Sequence, residues 1–134
     1  RGITAVRDLL KAGVTGAGGG DNVGDAFNLV SRADPLETAS LLVAGAHLDL
    51  DQALTLVTTG ARAALGLPPV RLAPGGPADL LVAKAATVQE LIAFAPPDRL
   101  VFKAGRLVAR TRTETTLAPL ATPPRATYPP PDQT

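Results

Sequence analysis

Residues 13–28 read GVTGAGGGDNVGDAFN, placing two carboxylates (Asp21 and Asp25), an amide (Asn22) and an aromatic ring (Phe27) after a run of glycines. Three chemistries compete for such a stretch. A dinucleotide-phosphate cradle needs G-x-G-x-x-G, and here Gly16 and Gly18 lead to Asp21 instead of a third glycine. An anionic side chain there repels a pyrophosphate, and no lysine–hydroxyl pair follows to make a P-loop. A plain turn is the second reading, because Asp and Asn side chains satisfy nearby backbone donors. The third is a reaction site. A carboxylate just beyond a strand, with glycine on its near side, can ligate a divalent metal ion and accept a proton from water. In an eight-stranded (β/α) barrel such residues stand at the C-terminal ends of the strands. Composition and spacing leave the turn and the reaction site both open.

The chain of 134 residues is long enough for one domain. Thirteen basic residues against twelve acidic ones give a net charge of +1, too little for a nucleic-acid footprint or a membrane-surface patch. No apolar run has the length of a membrane span. With no cysteine there is no disulfide, no thiolate metal site and no cysteine nucleophile, which fits a cytoplasmic setting. The sequence also lacks methionine and opens at Arg1 inside a helical pattern. The expectation is a C-terminal part of a longer protein.

The elements that must position Asp21 follow from periodicity. In ITAVRDLLKAG, Ile3, Val6, Leu9 and Leu10 share a helical face, and Gly13 suits its stop. VTGA then predicts a short buried strand. Asp34, Pro35 and Glu37 open a second helix with a capping-box pattern, and Asp49 with Gln52 opens a third, running to Gly66. Residues 78–83 predict a buried strand, TVQELIAF a short helix capped by Thr87 and Glu90, and RLVFKAGRLVAR a hairpin around Ala104-Gly105. This divides the chain into 1–66, 67–112 and a Pro/Thr-rich tail, 113–134, expected to be extended or disordered. A lone strand between helices needs parallel neighbours, and 1–66 supplies none. The hairpin segment has too few strands to close a sandwich. Both halves therefore look like parts of larger units.

Most other charges have structural explanations. Asp34, Glu37, Asp49 and Glu90 are cap residues. The single histidine, His47, sits at a helix end and reads as a surface or capping residue. Asp25 is a turn carboxylate or a support for Asp21, with the turn favoured, and Asp79 is structural.

Several segments, in order and without large gaps to about Arg112, resemble the cytosine deaminase branch of the metal-dependent amidohydrolase superfamily. GARAALGL and GGPADLLV are similar to segments found across the superfamily, whereas GGDNVGDAFN resembles the loop of that branch. This chain departs from that loop at Ala26, where proline is usual, and at Phe27, where tryptophan often stands.

The resemblance implies an α/β fold: the C-terminal part of a (β/α)8 amidohydrolase barrel plus part of a small β-sandwich, and hence an incomplete fold. It implies that Asp21 is the last metal ligand and also catalytic, accepting the proton of the attacking water and returning it as ammonia leaves. Asn22 and Phe27 would contact the substrate, and a neutral amide at Asn22 can donate as well as accept. The cofactor would be one divalent ion, Fe2+ or Zn2+, in a full-length parent acting on a small heterocycle, with a homo-oligomer left open. The cysteine-rich zinc sites of other nucleobase deaminases are excluded. The family's remaining histidine ligands and its glutamate lie on earlier strands, so this chain alone should be inactive. Two alternatives stand beside this reading: an amidohydrolase that opens a cyclic amide or removes another amine, and a non-catalytic interaction module.

Overall fold

Asp49 starts the best-formed helix of the protein. Its carboxylate accepts from the Gln52 N–H at 2.7 Å while the Gln52 side chain reaches back to the Asp49 N–H, so both halves of a capping box are made. The computed structural model describes residues 4–118. In chain order the elements are α1 (Val6–Lys11), α2 (Pro35–Ala44), α3 (Leu50–Val57), α4 (Thr59–Ala64), β1 (Leu80–Ala83), α5 (Val88–Phe94), β2 (Arg99–Lys103) and β3 (Arg106–Thr111). Ile3 and most of the expected tail lie outside the described residues.

The structure has two parts, tied to each other by ion pairs at Asp79 and Asp34. In the first, Ala39 of α2 and Ala53 of α3 are fully buried, and these two small side chains let the helices approach closely. Ile92 of α5 fills the space beside them, with Leu42, Val43, Leu50, Leu54, Val57 and Val88 around it. The second part is an antiparallel sheet ordered β1-β2-β3. Its tight turn has positive φ at both Ala104 and Gly105, which matches the right-handed twist of the strands it joins. Asp79 braces this turn: it accepts from the Ala104 N–H at 2.9 Å and from Lys103 Nζ at 2.6 Å, and it pairs with Arg62 of α4 at 3.4 Å. Asp34 makes a second tie, capping α2 through the Leu36 N–H and meeting Arg99 of β2 at 2.9 Å.

Several sequence expectations change. The strand expected at VTGA, residues 14–17, does not form among the described residues, because nothing lies alongside to complete a ladder; the Gly18 N–H that follows donates to Leu56 O at 2.9 Å. The single helix expected up to Gly66 breaks at Thr58 (φ −127°, ψ −97°) into α3 and α4. Glu37 does not complete a capping box with Asp34; it accepts from the Arg32 N–H and Nε. The strand at 78–83 shortens to β1 and is not buried, since Leu81 and Val82 are exposed.

Gly60 shows how tightly α4 sits against the glycine segment. A Cβ there would lie 2.9 Å from the Thr55 carbonyl oxygen and 3.1 Å from that of Gly16. Both are backbone atoms and cannot swing aside. Gly60→Ala is therefore expected to cost about 1–3 kcal/mol in stability, read from the urea midpoint. An unchanged midpoint would contradict this packing.

Candidate functional site

The glycine run is pinned at one end and open at the other. A Cβ at Gly18 would meet Leu42 Cδ1 at 2.9 Å and Val57 Cγ1 at 3.2 Å, so the chain lies close against α2 and α3 here and a side chain would push those ends aside. At Gly19 nothing lies within 4 Å. The run thus leaves the packed helices and carries Asp21 to an exposed position. A cleft of about 200 Å³ opens alongside the run, lined in part by Gly18, Gly19, Gly20, Val23 and Thr38, while Asp21, Asn22 and Phe27 are not among its lining residues.

Beyond Asp21 the loop is organised by Asp25. One of its oxygens, Oδ1, accepts from the Phe27 N–H at 2.8 Å and the Asn28 N–H at 3.1 Å; the other, Oδ2, accepts from Asn22 Nδ2 at 2.5 Å. Asn22 is half-buried, and the Phe27 ring is 75% exposed. Of the two sequence readings of Asp25, its contacts are those of a turn carboxylate, and its hydrogen bonds go to Asn22 and the backbone that follows. The Phe27 N–H foremost, and then Asn28 and Asn22, hold its carboxyl below the ordinary value of 3.8 against a smaller opposing effect of desolvation.

His47 is exposed in the left-handed region (φ 54°) between α2 and α3, in keeping with a surface residue. Among the described residues no three of His, Cys, Asp and Glu gather closely enough to hold a metal ion. A catalytic ion takes about three or more protein ligands, so one exposed carboxylate does not fit a metal centre by itself.

Arg99 is the residue sequence reasoning missed. It ties Asp34 to the Ala95 and Pro96 carbonyls and so connects the sheet to the helix that flanks the cleft. Its partner is distant in sequence and its spacing carries no signal. Burial raises the Asp34 pKa, but the Arg99 and Leu36 hydrogen bonds outweigh it, and the net shift is downward. Glu37 is lowered mainly by the Arg32 N–H, and Asp79 mainly by Lys103.

All four carboxyls thus bind protons more weakly folded than unfolded. Their stabilisation is fully present above the ordinary values of 3.8 and 4.5 and is lost as pH falls through the lower folded values. The urea midpoint should hold steady down to about pH 5 and drop below about pH 4. A midpoint that rises on acidification would contradict these contacts.

The amidohydrolase family model matches residues 1–109. A pterin deaminase of Rhizobium rhizogenes is 38% identical over 114 residues, which cover 83% of this chain and 26% of that relative. Among solved structures, N-isopropylammelide isopropylaminohydrolase from Burkholderia multivorans matches with a TM-score of 0.73 at 34% identity, over 81% of this chain and 29% of that one. The 5-methylcytosine deaminase of Klebsiella pneumoniae, liganded with phosphonocytosine, shares the fold with a TM-score of 0.71 at 21% identity, over 87% and 30%. The chain therefore spans less than a third of the length of these relatives. With the family model matching four-fifths of its length, this chain belongs to the amidohydrolase family.

Proposed function

We propose that this chain is the C-terminal part of a metal-dependent hydrolase that removes ammonia from cytosine or a related N-heterocycle. The observation that carries the proposal is the GGDN loop: a glycine segment packed at Gly18 against α2 and α3 leads to an exposed Asp21, next in the chain to Gly20, which lines a cleft. The 38% identity to a pterin deaminase supports the reaction class. Residues 1–66 would end the barrel, 67–112 would contribute sandwich strands, and 113–134 would be a tail. The exposed Leu81, Val82, Leu107 and Val108 of the sheet are the kind of surface that further strands would cover.

Within this reading Asp21 accepts a proton from the attacking water as the new C–O bond forms. It returns that proton to the amino nitrogen as the C–N bond breaks, and the second water proton ends on the adjacent ring nitrogen, so ammonia leaves neutral and the ring gains a carbonyl. Asn22 contacts the polar edge of the ring and Phe27 its flat face. Asp21 would also be one ligand of a single divalent ion, Fe2+ or Zn2+, which would lower the pKa of a bound water, its other ligands being supplied from outside this chain. Taken alone, the chain is inactive. The setting is cytoplasmic and the partner a small heterocycle. Among the described residues no helix is long and apolar enough to cross a membrane.

The likeness to the isopropylaminohydrolase, at 34% identity, favours a second reading in which an alkylamine leaves instead of ammonia. The product of the complete reading frame containing this chain, assayed on cytosine, pterin and an alkylamino-triazine, separates the two. Release of ammonia supports the first reading. Release of alkylamine alone supports the second, and release of neither overturns both.

A further inference from the structure

We propose that Asp25 is a positioning residue that sets the substrate preference by fixing which end of the Asn22 amide faces the ring. The inference rests on the reading above, in which Asn22 contacts substrate.

Asn22 ends in a carbonyl oxygen and an NH2 group of nearly the same shape, so packing alone does not choose between its two flip states. Asp25 does choose, because an ionised carboxylate only accepts hydrogen bonds. Its Oδ2 takes the nitrogen end at 2.5 Å. Hydrogen bonds to an ionised acceptor are roughly twice as strong as neutral ones. Oδ1 is held by the Phe27 and Asn28 N–H groups, so the carboxylate cannot turn away. One N–H of the amide is committed to Asp25, which fixes the flip state and turns Asn22 Oδ1 to the side away from the carboxylate. A ring edge carrying an N–H donor then fits this contact, and one carrying a carbonyl is opposed. The same carboxylate fixes the backbone at Phe27, so both proposed substrate contacts depend on one side chain.

Asp25→Asn is the discriminating variant. The carbonyl of the introduced amide can still accept from Phe27 and Asn28, which preserves the turn. Its NH2, however, now faces Asn22 as a donor and favours the opposite flip, turning the Asn22 NH2 outward. The test uses the complete reading-frame product and two aminoheterocycles, one with an N–H and one with a carbonyl on the edge beside the reacting carbon. The ratio of their kcat/KM values is measured in the wild type, in Asp25→Asn and in the swapped pair Asn22→Asp/Asp25→Asn. The wild type should prefer the N–H edge. Asp25→Asn should move the ratio toward the carbonyl edge by about tenfold or more, within the range seen when a site's hydrogen-bonding polarity no longer matches its ligand. The swapped pair re-forms the bond with a carboxylate at position 22 and should restore the preference for the N–H edge.

A merely structural Asp25 would lower both substrates equally and leave the ratio alone. A wild-type enzyme that is active, with a ratio unmoved in Asp25→Asn, overturns this inference and leaves the proposed function standing. A complete product inactive on every aminoheterocycle overturns the proposed function and this inference with it.

Discussion

Replacing Asp21 by asparagine or alanine in the complete reading-frame product is expected to lower kcat by about 10² to 10⁴, the range a positioned proton acceptor supplies. Three features argue for so large an effect. Asp21 is exposed, three residues beyond the point where Gly18 packs between Leu42 and Val57. The neighbouring carboxylate, Asp25, already accepts three hydrogen bonds from its own loop and is a poor substitute. Asparagine keeps the shape of Asp21 and cannot take a proton, so Asp21→Asn separates chemistry from folding. Steady-state kinetics beside a thermal melt would check this. Near-wild-type kcat in a folded Asp21→Asn protein would remove Asp21 from the reaction.

The largest effect on stability is expected at Ile92. It is 3% exposed and is the large side chain that fills the gap left by two fully buried alanines, Ala39 and Ala53. Truncation removes most of the contact between α5 and the α2–α3 pair, and neighbours built around alanine cannot collapse into the space. Ile92→Ala should cost about 2–5 kcal/mol, and Ile92→Val about 0.5–1.5. For a small domain holding about 5–15 kcal/mol in all, the alanine variant approaches the unfolding threshold. Chemical denaturation of the two variants beside the wild type measures it. Equal, small losses would mean that α5 does not share this core.

What could be foreseen from sequence was local. The Asp49–Gln52 box, the Thr87 cap and the Ala104-Gly105 hairpin depend on residues three or four apart, and each forms as its spacing predicts. The strand expected at VTGA depends on a ladder partner that no local pattern can reveal, and it does not form among the described residues. Thr58 is hidden for a different reason. The apolar period runs through it unbroken, while its Oγ1 donates to the Leu54 carbonyl at 2.6 Å where the helix ends. At the site, the sequence picked out Asp21, Asn22 and Phe27 and weighed Asp25 as a turn residue. It did not show that one Asp25 oxygen would take the Asn22 amide, nor that Arg99 would join the sheet to Asp34. Those depend on side-chain direction and on contacts distant in sequence.

Hydrolytic removal of an amine from an N-heterocycle leaves a solvent oxygen on the ring, and isotope incorporation reads that oxygen. The complete reading-frame product would be incubated with cytosine in ¹⁸O-water, and ammonia and the ring product quantified together. One solvent oxygen is expected in the new ring carbonyl for each ammonia released, with both abolished in Asp21→Ala. Ammonia without solvent oxygen in the ring, or no reaction with cytosine, pterin or any other aminoheterocycle, would contradict it.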